Sequence, residues 1–134
     1  VKNKRVYKVV KTLEYGQLVS AFARGEFMVR YELGKEAKAE VGKIFAFSSM
    51  ECASTYVEQN CTNVARVVIM EGMATNPEIP KFVCGWSADY KSFWRRKKGK
   101  RMISNLSEKP YKGTVLCDSF TPDRIVAKVA LVVL

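Results

Sequence analysis

The chain contains no histidine. A Ser-His-Asp or Cys-His relay therefore cannot be built, and the side chain that moves protons most easily near neutral pH is missing. No Cys-x-x-Cys pair occurs either, which removes the usual ligands and spacing of a structural zinc site. No Walker pattern and no Gly-x-Gly-x-x-Gly loop is present to cradle a phosphate. No acidic pair stands at metal-binding spacing, and Glu32, Glu36 and Glu40 alternate with lysines as ordinary surface pairs do. No cofactor and no metal are expected, and a binding module fits this inventory better than an enzyme. Apolar runs stay far below the ~20 residues of a bilayer span, the longest being Val129 to Leu134. The N-terminal residues are charged, with no apolar signal core. The expectation is a soluble, cytoplasmic protein without membrane contact. Its four cysteines, Cys52, Cys61, Cys84 and Cys117, read as buried free thiols of a reducing compartment.

What is present is 134 residues, 48% of them apolar, enough for one domain over 1–134 with a core of its own. Basic residues number 23 against 13 acidic, a formal charge of +10. The surplus is gathered in two places. Residues 1–11 hold Lys2, Lys4, Arg5, Lys8 and Lys11 with no acid, and residues 91–101 hold Lys91, Arg95, Arg96, Lys97, Lys98, Lys100 and Arg101 with no acid. The remainder carries eleven basic against thirteen acidic residues and is slightly negative. Concentrated cations draw polyanions by steering and counterion release. Phe93 and Trp94 precede the second run, and an aromatic face beside arginines suits a base stacked above its phosphates.

Residues 4–11 read as a strand, rich in valine. Residues 18–24 read as two helical turns closed by Gly25. Residues 27–32 alternate as a strand, 35–40 form a charged connection, and 43–47 form a short buried strand. Ser48 with Glu51 three residues later makes a capping box for a helix over 48–60, with Met50, Ala53 and Val57 on one face. A strand over 64–70, a loop over 75–80 and a strand over 114–117 follow. Asp118 reads as a turn former. Thr121, Pro122 and Asp123 read as a turn before a closing strand from Ile125. The fold class is α+β: a mostly antiparallel sheet of about five or six strands with one main helix and one or two short ones.

Tyr7-Lys8-Val9-Val10, Tyr31-Glu32-Leu33-Gly34, Phe45-Ala46-Phe47 and Asp118-Ser119-Phe120-Thr121-Pro122 resemble recurrent blocks of small uncharacterised bacteriophage proteins. The resemblance implies an accessory protein acting in a bacterial host's cytoplasm. Gly42 to Ser48, with Ala53-Ser54-Thr55-Tyr56, is similar to a strand-and-helix block of ADP-ribosyltransferase-like folds. That likeness implies an enzyme or an inactive nucleotide-binding relic, with Arg5 and Ser48 or Ser49 at the nucleotide. The expected function is binding of an anionic partner, nucleic acid first, through Lys91, Trp94, Arg95, Arg96, Lys97, Lys98, Lys100 and Arg101. Lys4, Arg5 and Lys8 would extend the footprint. An acidic host protein is the other candidate partner.

Overall fold

The computed structural model describes residues 2–21, 28–40, 42–60, 66–80, 83–84, 107–108 and 110–130. Three long strands form its spine: β1 (Asn3–Thr12), β6 (Arg66–Thr75) and β10 (Ser119–Ala130). β6 lies in the middle, antiparallel to both neighbours, and its ladder with β1 runs from Asn3↔Thr75 to Lys11↔Val67. The other edge of β1 is shared. β2 (Leu18–Ser20) takes its far end through Val10↔Ser20, and β5 (Ile44–Phe47) joins at Tyr7↔Phe47. β3 (Arg30–Tyr31) flanks β2, β4 (Ala37–Lys38) flanks β10, and β9 (Thr114–Cys117) flanks β5, making eight strands. β7 (Val83–Cys84) and β8 (Ser107–Glu108) form a separate antiparallel pair. The fold is thus α+β with a mostly antiparallel sheet and one main helix, and the sheet is broader than the sequence suggests.

Alternation along the strands sorts the side chains into two apolar clusters. Val6 and Val10 of β1, Val68 and Met70 of β6, Tyr31, Ile44, Ala46, Val115, Cys117 and Phe120 share one interior. Val9, Val67 and Ile69 face the other way, where α1 (Met50–Asn60) covers them with Ala53 and Val57. The helix is capped by Ser49, not Ser48: the Ser49 Oγ accepts the Cys52 N–H at 3.1 Å. Ser48 is spent on the turn below, its N–H donating to the Gly113 carbonyl at 2.8 Å.

Three expectations are corrected. Leu18 to Ser20 form a strand, because β-branched Val19 packs into the ladder beside Lys11 rather than onto a helical neighbour. The charged connection contains β4, whose Ala37 is buried opposite Phe120. And β10 runs straight through Thr121, Pro122 and Asp123. Pro122 has no N–H to give the ladder, so the register slips between Pro122 and Arg124 and again between Ile125 and Ala127. Gly72 stands opposite Pro122, and a Cβ there would meet the Thr121 carbonyl and lie 2.8 Å from the Pro122 Cα. The turn falls one step earlier, at Asp118, whose N–H bonds the Thr75 carbonyl at 3.0 Å.

Candidate functional site

The densest part of the expected binding segment, Lys91, Trp94, Arg95, Arg96, Lys97, Lys98, Lys100 and Arg101, lies outside the described residues. So do Phe93, Cys61 and the side chain of Cys84. The three β1 cations are described, and the strand's two-residue period separates them. Lys4 is exposed, and no carboxylate among the described residues pairs with it. Arg5 is exposed on the opposite face. Lys8 is placed in the interior with 9% of its surface accessible, between Val6 and Val10 and opposite Met70. A phosphate lying on the sheet's outer face cannot reach it, so the expected footprint shrinks to Lys4 and Arg5.

Arg5 belongs to a charged network centred on Glu71, in the middle of β6. Its Nη1 lies 3.1 Å from Glu71 Oε1 and 2.8 Å from Asp123 Oδ2. Arg124 reaches the same carboxylate with Nε at 3.3 Å and Nη2 at 3.5 Å. The register accounts for the meeting: Tyr7, Glu71 and Arg124 stand in one cross-strand row. Hydrogen bonding from Arg124, then from Tyr7, and the charge of Arg5 hold the Glu71 carboxyl below its usual range. The bond to Glu71 raises the Tyr7 phenol in return. Asp123 and Glu71 together raise Arg5. The guanidinium that the ADP-ribosyltransferase likeness would assign to a nucleotide is thus held by two of the protein's own carboxylates.

The sequence reading missed Glu71, Asp123 and Arg124 as one group. Glu71 stands some fifty residues before the adjacent Asp123 and Arg124, and only the ladder register brings it to them.

A second polar group lies in the core. Burial pushes the Lys8 amine down to about 8, an effect the nearby Cys117 thiol partly offsets. Burial likewise pushes the Cys117 thiol up to about 11, against the pull of Lys8. The thiol donates to the Ile44 carbonyl at 3.6 Å. Burial raises the Tyr31 phenol, and the Ser20 hydroxyl on the adjacent strand offsets part of that rise. Among the described residues the Tyr31 oxygen has no partner at hydrogen-bonding distance and angle, the Ser20 hydroxyl being engaged by the Val29 backbone. Cys52 and Cys117 are free thiols as expected, but only Cys117 is buried; Cys52 is half-buried.

At the Asp118 turn, Asn76 Nδ2 donates to the carboxylate at 2.9 Å, and Lys43 lies 3.4 Å from it. Both lower the Asp118 pKa, Asn76 more strongly. The turn-forming role accounts for each of these contacts. Among the described residues no cluster of acids and cysteines is suited to a metal ion, and no helix is long and apolar enough to cross a membrane.

Comparison with protein-family models, curated proteins and solved structures finds no match.

Proposed function

We propose that the protein binds nucleic acid, with residues 91–101 as the principal contact. The observation that carries this reading is the charge segregation: seven cations and no acid within eleven residues, on a chain whose remainder beyond the basic first eleven residues is slightly negative. Arg95, Arg96, Lys97, Lys98, Lys100 and Arg101 take the phosphates, and Trp94 offers a face to a base. Lys4 adds an exposed cation from β1 that no carboxylate among the described residues pairs with. Arg5 contributes less, since Glu71 and Asp123 already balance it. The phage-type blocks of the sequence favour an accessory role in a bacterial cytoplasm.

The test is fluorescence anisotropy of a labelled 20-nucleotide DNA or RNA strand, titrated with protein at several salt concentrations. Six phosphate contacts predict an affinity loss of about two to three orders of magnitude between 50 and 200 mM salt. The Arg95→Glu/Arg96→Glu variant should bind at least about tenfold more weakly with an unchanged melting temperature. Binding equal to wild type in that variant would remove the site.

A further inference from the structure

Among the cations of the described residues, Arg5, Lys35, Lys38, Lys43 and Arg124 each lie within 4.0 Å of a carboxylate. Of those with no such partner among the described residues, Lys2, Lys4, Lys8 and Lys112 lie elsewhere, whereas Lys11, Arg30, Arg66 and Lys128 gather at the end of the sheet where the β1–β2 turn is. The registers place them. Lys11 pairs with Val19, and Val19 with Arg30, so these two cations share a face two strands apart, about 10 Å. Arg66 pairs with Ala130 and Lys128 with Val68, which makes Arg66 and Lys128 diagonal neighbours on the other face, about 7–8 Å apart. Arg30, Arg66 and Lys128 are exposed and Lys11 is half-buried.

The turn beside them holds Tyr15. Leu13 closes it, its N–H donating to the Gln17 carbonyl at 2.7 Å and its carbonyl accepting the Gly16 N–H at 3.2 Å. Tyr15 occupies the left-handed region at φ 64°, ψ 16°, and its side chain is fully exposed. Glycine or asparagine would fill this position without strain; a bulky aromatic is an outlier there. The ring contributes nothing to the core that could offset the strain. Strained residues of this kind cluster at binding and switch sites. Glu14, in the same turn, is the only acid before residue 26.

We propose that this end of the sheet is a second contact surface for single-stranded nucleic acid, with Tyr15 stacking on an unpaired base and Lys11, Arg30, Arg66 and Lys128 meeting phosphates. An accessible ring at the sheet end that carries cations without carboxylate partners among the described residues fits a strand whose bases are free, because a duplex hides the base faces that a ring would cover. The surface rests on the reading that the chain binds nucleic acid, and it extends that reading from one segment to two.

Anisotropy with a labelled 20-nucleotide poly-dT strand separates the two claims. Tyr15→Gly relieves the backbone strain and should keep or raise the melting temperature while weakening binding about fivefold or more. Arg66→Glu/Lys128→Glu should weaken it about tenfold or more and lower the salt slope by about 1.4. If either variant binds as tightly as wild type while Arg95→Glu/Arg96→Glu fails to bind, this surface is refuted and the 91–101 site stands. If both weaken binding while Arg95→Glu/Arg96→Glu does not, this surface stands and the 91–101 site is refuted. A wild-type protein that leaves the strand's anisotropy unchanged overturns both.

Discussion

Lys8 stands opposite Met70 in the β1–β6 ladder, so its amine shares the interior with a thioether where a carboxylate would be needed to balance it. A charge so placed is costly, and the cost depends on pH.

The folded amine titrates near 8 and the unfolded one near 10.5. Above pH 10.5 both forms are neutral and the penalty vanishes; it grows as pH falls toward 8 and is complete below that. The gap corresponds to about 3 kcal/mol. Lys8→Met should therefore be more stable than wild type by about that amount at neutral pH, with the gain shrinking as pH 10.5 is approached. Urea unfolding of both proteins across this range checks it; a gain independent of pH would show that the amine is not desolvated.

Glu71 has the opposite dependence. Its pKa is lowered in the fold, first by Arg124, so its stabilisation is present above the ordinary carboxylate range and is lost as pH falls through the lowered value. Glu71→Gln should lower the melting temperature at neutral pH and flatten its decline between about pH 5 and pH 2. Thermal melts at stepped pH read this directly, and parallel curves for the two proteins would contradict it.

Gly72→Ala places a methyl group against the backbone of β10 at Thr121 and Pro122. Backbone cannot step aside as a flexible side chain can. The expected loss is about 1–3 kcal/mol or more, measured by chemical unfolding. Gly34→Ala serves as the comparison: its Cβ would meet nothing, and the φ of +80° alone would cost about 1 kcal/mol.

Ser49→Ala should cost about 1 kcal/mol and Ser48→Ala less, because among the described residues it is the Ser49 hydroxyl that holds a free N–H of the first helical turn. Equal losses would assign the cap to the pair.

Strands with unbroken β-branched runs, such as Val9–Val10 and Val67–Val68, were legible because their residues fix both element and face. The helix was legible from Met50, Ala53 and Val57. Pro122 misled, since a proline within a strand reads as a boundary unless the neighbouring bulge is known. Lys8 misled in another way. Nothing local separates a lysine that alternates outward from one that alternates inward; that is decided by which side β5 and β9 cover. Runs of charge such as residues 91–101 are visible along a chain, whereas Arg66 and Lys128 become neighbours only through strand register.

The central place of β6 has a consequence during synthesis. Its partner β1 precedes it, but β10 emerges only after more than forty further residues. Throughout that interval one flank of a valine-rich strand offers unsatisfied amides and carbonyls to any other extended chain. Nascent molecules are then most prone to pair with one another, and a slow ribosome or a crowded polysome should raise the fraction lost to aggregates without altering the stability of those that finish.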